Sequence, residues 1–378
     1  MKMRRVRALL PAIALLAACG GVGGTASAQD RPFQVEAMGQ FNEPWAMTFL
    51  PGGDLLITEK RGALKLRRAH GLVLDVTGVP EVSYGGQGGF GDVVLHPDYA
   101  RNHLVYLSWV EAGEGGTRGA VVGRARLNFS EAGASLGDLQ IIWRQAPKMT
   151  GGGHFSHRIA FGPDGKLYIS SGERQHFDPA QDMTGNLGKV VRLNDDGSVP
   201  SDNPWSDRGG VTAQVWSLGH RNLLGLAFDG QGRLWNTEMG PRGGDELNLV
   251  TRGSNYGYPR VSNGSHYDGR DIPDHAAGDG FVAPKVWWDP SISPSSLMIY
   301  SGAMFPQWRG DAFIGALSGQ ALIRVDLDGT EARKADQWDM GARIREVEQG
   351  PDGAIWLLED QSRGSGGRLL RLTPAGRP

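Results

Sequence analysis

Three glycines followed at once by a histidine, in Gly151-Gly152-Gly153-His154-Phe155-Ser156-His157-Arg158, are the first candidate reaction centre in this sequence. Glycine lets backbone approach a ligand closely, and histidine is the side chain best placed to take a proton near neutral pH. The alternatives are a turn carrying a surface histidine, or a zinc pair of His154 with His157, for which no third ligand is apparent nearby. Arg221 and Asn222 stand together after Gly219-His220. They place a planar fork suited to carboxylates beside an amide that both donates and accepts. In Glu238-Met239-Gly240-Pro241-Arg242-Gly243-Gly244-Asp245-Glu246-Leu247-Asn248, carboxylates lie beside glycine-rich backbone. Calcium takes about six to eight such hard oxygens, free carbonyls included. Asn255-Tyr256-Gly257-Tyr258-Pro259 could return a carbonyl to the same ion; the competing reading is an acidic turn paired with Arg242. Arg343 and Arg345 flank Ile344, so on a strand their guanidinium groups share a face. Unless that face is simply solvated, two cations facing one way call for an anion.

One apparent signal fails. Gly86-Gln87-Gly88-Gly89-Phe90-Gly91 matches G-x-G-x-x-G but runs into Asp92-Val93-Val94-Leu95, which reads as a strand where a dinucleotide site needs a helix. No P-loop and no H-E-x-x-H is present.

The elements that must position these groups are strands. The chain has 58 Gly and 21 Pro in 378 residues, roughly twice the usual share, and neither belongs inside helices. With 11 Trp, 12 Phe, 8 Tyr and 39% hydrophobic residues the chain can fill a core, which argues against disorder. One pattern recurs: an apolar residue, Pro-Asp-Gly or a variant, then alternating apolar residues. It appears at Phe49 to Ile57, Phe161 to Ile169, Phe228 to Trp235 and Gly350 to Leu357, and more loosely at Leu95 to Leu107. Pro and Gly set the turn, and the alternation marks strands on either side. Hairpins repeated through a long chain indicate an all-β, six-bladed β-propeller with four-stranded antiparallel blades, formed as one domain over residues 32–378.

The N-terminus reads as an address. Lys2, Arg4, Arg5 and Arg7 precede an apolar stretch from Ala8 to Ala18, too short to span a bilayer. Leu16-Ala17-Ala18-Cys19 resembles a lipobox, giving a signal over residues 1–18 and a flexible tether over 19–31; the alternative is cleavage after Ala28. The expected location is the periplasmic side of a bacterial envelope, outer-membrane lipid-anchored through Cys19 or otherwise soluble. That anchor is the only membrane contact expected. Cys19 is the single cysteine, so no intramolecular disulfide can form, and a net charge of −2 without a basic run argues against nucleic acid.

Taken together, the segments resemble the bacterial soluble aldose sugar dehydrogenases that use pyrroloquinoline quinone (PQQ), relatives of the soluble quinoprotein glucose dehydrogenase. The resemblance rests on Gly-Gln-Gly-Gly at 86–89, Gly-His-Phe at 153–155, Gly-His-Arg-Asn at 219–222 and Gly-Pro-Arg-Gly-Gly-Asp-Glu-Leu-Asn at 240–248. Asn-Tyr-Gly-Tyr-Pro at 255–259, Pro-Ser-Ile-Ser-Pro-Ser at 290–295 and Phe-Pro-Gln-Trp-Arg-Gly-Asp at 305–311 add to it. It implies that PQQ lies across the central channel and that aldose C1 hydroxyls are oxidised to lactones. His154 would then be the general base, and Gln87, Arg221, Asn222, Tyr267, Trp288 (with Trp287 as the alternative aromatic ahead of Pro290), Ala316, Leu317, Ser318, Arg343 and Arg345 would line the cofactor. The carbonyls of Gly240 and Pro241 would hold the Ca²⁺ that bridges to PQQ, acting as a Lewis acid. Glu246 and the Tyr256 carbonyl would bind a second, structural Ca²⁺. Ser318 stands where the family usually has Lys or Arg. The sequence leaves open the preferred sugar, the external electron acceptor, and whether the chain is a monomer or homodimer. Competing readings are a calcium-dependent propeller lactonase and a non-catalytic binding lipoprotein.

Overall fold

The computed structural model describes residues 31–130 and 133–376. The expected signal, Cys19, the Ala28 site and the tether up to residue 30 lie outside the described residues.

The described chain is all-β apart from short helical turns, and its strands pair almost entirely antiparallel. Three sheets are four-stranded runs in chain order or nearly so: Ser156–Phe161 through Val215–Leu218, Asn222–Phe228 through Val286–Trp288, and Pro294–Ile299 through Glu331–Asp339. An eight-stranded sheet divides into two antiparallel halves, Pro44–Phe49 through Val73–Thr77 and Phe90–Leu95 through Gly133–Arg144. They meet only at a short parallel pairing of Val76 with Ala134 and Thr77 with Ser135. In the last sheet the N-terminal Phe33–Gln40 lies on the C-terminal Arg368–Pro374, beyond Ile344–Gln349 and Ile355–Glu359. The first and last described strands are thus tied into one sheet.

The first strands of these units touch in a closed ring: Pro44–Phe49, Phe90–Leu95, Ser156–Phe161, Asn222–Phe228, Pro294–Ile299, Ile344–Gln349 and back to Pro44–Phe49. Core clusters fill the spaces between neighbouring units, and alternate side chains of one strand serve different clusters. Leu55 and Ile57 pack with Trp356 and Leu358, whereas Leu56 between them packs with Leu107 and Val121. Leu167 and Ile169 pack with Tyr106 and Val122, whereas Tyr168 packs with Leu223 and Leu234. Side chains that alternate across a strand must be apolar on both faces when both faces are covered. Each fully buried Leu or Ile adds about 1.5–3 kcal/mol of transfer free energy.

The recurring turn falls where the sequence places it, between the first and second strands of a unit. In three copies the aspartate caps the turn, Asp164, Asp229 and Asp352 accepting from the backbone N–H of Lys166, Gln231 and Ala354 at 3.0 Å. The Pro294–Ile299 unit lacks the motif and uses the longer segment 300–311, which contains a 3₁₀ turn at Pro306–Trp308. At the opposite end, every first strand carries a register shift: Pro44/Ala46, Phe90/Val93, Ser156/Ile159, Leu223/Gly225, Pro294/Ser296 and Ile344/Glu346. Bulges bend a strand and re-aim side chains, and they cluster beside functional sites.

Candidate active site

The bulged end of the ring surrounds a cavity of about 470 Å³, within the range of about 300–1,000 Å³ typical of cofactor and small-molecule sites. Its lining comes from equivalent places in the units. Glu43, Phe155, Ser293 and Arg343 each precede a first strand; Lys60, Leu317, Ser318 and Asp360 each follow a second strand. Gln87 and Tyr267 enter from longer loops.

His154 stands beside this cavity with its ring almost buried. Its Nδ1 is hydrogen-bonded to Oε1 of Glu173, which has no exposed surface. Among the described residues nothing bonds to Nε2, and that atom is not sealed in the interior. Burial pulls the His154 pKa down, and the Glu173 carboxylate pulls it back up; the net is below the ordinary value. Burial pushes Glu173 up, but the bond and charge of His154 outweigh it, so the carboxylate stays ionised. An ionised Glu173 holds the proton on Nδ1 and leaves the Nε2 lone pair free, the arrangement of a general base.

The backbone around the histidine is fixed from several sides. The His154 N–H donates to Gln87 Oε1 at 2.8 Å, and Gln87 N–H donates to the Gly152 carbonyl at 2.7 Å. Arg174, fully buried, donates to the carbonyls of Gly151 and Gly153 at 2.7 and 2.9 Å. At Gly172 a Cβ would lie 2.0 Å from the His154 carbonyl oxygen, so only glycine fits. His154, Ser156 and His157 all have left-handed φ near 50–60°, a costly conformation for residues with side chains that is commonest at functional sites. His157 is no zinc partner of His154. It is stacked on Trp45, bonded to Ser108 Oγ at 2.8 Å, and held neutral by burial with a pKa of about 3.

One wall of the cavity is cationic. Arg343 and Arg345 share the carboxylate of Asp360, at 2.9 and 3.3 Å, and Lys60 stands beside them. Part of the anion called for by the two arginines is therefore internal. Burial raises the Asp360 pKa, but the two arginines win and hold it at about 2. Burial and then the nearby Arg345 charge lower the Lys60 pKa. Four lining cations, Lys60, Arg343, Arg345 and Arg363, against two carboxylates, Glu43 and Asp360, leave a net charge of +2, and Arg345 Nε is buried without a partner. Such a wall favours a multiply charged planar anion.

Across the cavity, Arg221 donates to the Met239 carbonyl at 3.0 Å and to the Tyr267 hydroxyl at 3.3 Å, and lies over the Tyr267 ring. Asn222 accepts from Ser156 Oγ at 3.0 Å. Gly240 O also accepts from Arg221, at 2.5 Å, while the Pro241 carbonyl accepts nothing among the described residues. Behind them Glu246 faces Glu238 across paired strands, and Asn248 Nδ2 donates to both carboxylates, at 3.1 and 3.3 Å. Both carboxyl pKa values are raised, by burial first; the Glu238 charge adds to the effect on Glu246. Asn248 Oδ1 is buried without a partner, His220 Nδ1 stands 3.4 Å from Glu238 Oε2 without a hydrogen bond, and the Tyr256 carbonyl accepts nothing among the described residues. Two buried carboxylates beside unpartnered acceptor oxygens fit a cation.

The family model for glucose/sorbosone dehydrogenases matches residues 41–371, nearly the whole described chain. The chain belongs to the glucose/sorbosone dehydrogenase family. It is 39% identical over 343 residues to the aldose sugar dehydrogenase YliI of Escherichia coli, covering 89% of this chain and 91% of that one. A crystal structure of a glucose dehydrogenase shares 41% identity and a TM-score of 0.86, covering 90% of this chain and all of that one. The PQQ-bound aldose sugar dehydrogenase of Streptomyces coelicolor shares 30% identity and a TM-score of 0.75, with 90% and 98% coverage.

For this member of the glucose/sorbosone dehydrogenase family, most of the expected residues converge. Gln87, Tyr267, Leu317, Ser318, Arg343 and Arg345 line the cavity; His154, Arg221 and Asn222 border it through their bonds to Gln87, Tyr267 and Ser156. Two do not reach it. Trp288 is buried among Trp235, Leu247 and Val286, because it shares a strand face with Val286, and its neighbour Trp287 is exposed instead. Ala316 is in the same core, one residue short of the cavity. Ser318 supplies no cation; its hydroxyl bonds to Ser293 Oγ at 2.8 Å. Sequence reasoning passed over Glu173, Lys60, Asp360 and Arg174. Their signal was positional, since each but Arg174 sits one or two residues past the second strand of a unit.

Proposed function

We propose that this protein is a PQQ- and calcium-dependent aldose dehydrogenase, and that its sheets are the four-stranded blades of a six-bladed propeller. The closed ring of first strands supports the propeller. The observation that carries the activity is the His154–Glu173 pair opening, through Nε2, beside a cavity with a +2 wall. A base alone would serve many reactions; a base facing a polyanion-binding wall suits oxidation with an anionic quinone.

When bound, PQQ would supply the two-electron oxidant for the hydride of C1, and Ca²⁺ would supply Lewis acidity. Arg343, Arg345 and Lys60 would hold the anionic cofactor, with Gln87, Arg221, Asn222, Tyr267, Leu317 and Ser318 completing its site. The carbonyls of Gly240, through its second lone pair, and of Pro241 would hold one Ca²⁺. Glu246, with Glu238 and the Tyr256 carbonyl, offers a second Ca²⁺ site. His154 Nε2 accepts the proton of the C1 hydroxyl, Glu173 stabilises the imidazolium so formed, and the sugar leaves as a lactone. We further propose that the mature chain is held on the periplasmic side of the envelope through Cys19.

Apoprotein reconstituted with PQQ and Ca²⁺ is expected to reduce an artificial dye on addition of aldoses, and His154→Ala to lose about 10²–10⁴-fold in rate. Sugar-independent dye reduction, or full activity in His154→Ala, contradicts the proposal.

A further inference from the structure

Phe177 occupies a position that packing alone does not explain. Its φ of 62° and ψ of −77°, with Asp178 N–H donating to the His176 carbonyl at 2.8 Å, make it the centre of the rare, strained form of the γ-turn. Arg174 and Gln175 just before it are also left-handed. A bulky aromatic pays the steric cost of such a turn where glycine would not, and yet its ring contributes little to the core, being 41% exposed. Single exposed apolar residues are ordinary; one held in strain beside a catalytic pair is not, because such strain collects at ligand clamps.

The turn is tied to the reaction centre. The Phe177 N–H donates at 2.7 Å to Glu173 Oε2, the oxygen of that carboxylate not bonded to His154. Its ring meets His266 edge-on at 5.4 Å, and Tyr258 lies 6.5 Å away. Next to His266 stands Tyr267, 72% exposed, which lines the cavity and bonds Arg221. Phe177 is thus tied to the carboxylate of the pair by its backbone, and its exposed ring leads through His266 to Tyr267 on the cavity wall, amid polar groups. Aromatic faces set among a few polar groups match a sugar, whose ring offers a C–H face and a hydroxyl rim.

We propose that Phe177 is a specificity-determining residue of the sugar site, its ring packing against the apolar C–H face of the aldose whose C1 hydroxyl meets His154. This rests on the dehydrogenase reading above. Because the contact exists before and during reaction, it acts as uniform binding, changing KM and not kcat.

The test uses reconstituted holoenzyme carrying Phe177→Ala or Phe177→Tyr. It reads KM and kcat for an aldose, the pH profile of kcat, the PQQ Kd, and the calorimetric Kd of 1,5-anhydroglucitol, a ring with no C1 hydroxyl to oxidise. Phe177→Ala is expected to raise KM and the anhydroglucitol Kd about 3- to 10-fold, with kcat, its pH profile and the PQQ Kd unchanged. Phe177→Tyr is expected to restore wild-type values. The proposal is overturned if Phe177→Ala leaves both KM and that Kd unmoved. Equal damage in Phe177→Tyr, or a shifted pH profile with reduced kcat, also overturns it, since the turn would then merely support Glu173. A wild type that binds anhydroglucitol but oxidises no sugar refutes the dehydrogenase reading alone, and the anhydroglucitol comparison still decides Phe177.

Discussion

Replacing Glu173 with Gln changes one atom and tests how the base is made. The carboxylate is fully buried and bonded to His154 Nδ1, with its other oxygen held by the Phe177 N–H. Glutamine fills the same volume and can keep the Phe177 bond, so the fold should survive. Two things are lost. The imidazolium formed during reaction no longer has a charge-assisted bond, worth about 1.5–3 kcal/mol, or about 10- to 150-fold in rate. The amide NH₂ can also turn toward Nδ1 and drive the proton onto Nε2, the wrong tautomer for accepting one; a triad carboxylate replaced by its amide shows that loss at about 10⁴-fold. Kcat should therefore fall at least about 10-fold. The pH dependence has a definite sign. Glu173 raises the His154 pKa against burial, so without its charge His154 titrates lower and the acid limb of kcat/KM moves to lower pH. Steady-state dye reduction across pH, at saturating PQQ and Ca²⁺, reads both quantities. A plateau kcat within twofold of wild type, or an acid limb moved upward, refutes the reasoning.

Other outcomes follow from the same geometry. Arg345→Ala should raise the PQQ Kd by about 10-fold or more, since charge-assisted bonds are worth about 1.5–3 kcal/mol; kcat at saturating cofactor should change much less, as read by titration and dye assay. Asp360, with a folded pKa of about 2, stabilises the cofactor-free fold above its unfolded pKa of about 3.9 by about 2–3 kcal/mol, an effect lost as pH falls through about 2. Urea denaturation should therefore find Asp360→Asn less stable at pH 7, with the gap closing at strongly acid pH. Calcium at about 100 times its Kd should add about 2.7 kcal/mol of stability, measured as a rise in Tm that chelation reverses and Glu246→Gln diminishes. Gly172→Ala puts a Cβ 2.0 Å from the His154 carbonyl and should reduce kcat while PQQ still binds.

What was legible in the sequence was whatever backbone chemistry wrote into it. Pro-Asp-Gly turns with alternating apolar residues marked the hairpins at Phe161 to Ile169 and Gly350 to Leu357, because turn geometry and sheet burial restrict residue type. The hairpin Pro294–Ile299 to Ala312–Ala316 lacked that mark, and its long connection hid it. The glycine cluster Gly151 to Gly153 pointed to the His154 loop, and there is a physical reason: the Gly152 carbonyl comes so near Gly86 that a Cβ there would lie 2.4 Å from it. Glu173, Lys60 and Asp360 were silent, since a charged residue after a strand looks like any surface residue until the ring closes around it. Their shared place past the second strand of a unit becomes readable only once the units are aligned on their turns. The choice between Trp287 and Trp288 was illegible because short strands such as Val286–Trp288, far in sequence from their partner Asp245–Val250, leave the facing of each side chain undetermined; the structure buries Trp288 and exposes Trp287.

The most direct test of the central claim is equilibrium titration of purified apoprotein with PQQ in the presence of Ca²⁺, followed by absorbance, alongside the double variant Arg343→Ala/Arg345→Ala. One PQQ per chain should saturate the wild type, the double variant should bind far more weakly, and an added aldose should then bleach the bound oxidised cofactor. Absence of saturable binding, or binding indifferent to the two arginines, would contradict a cavity built for an anionic quinone.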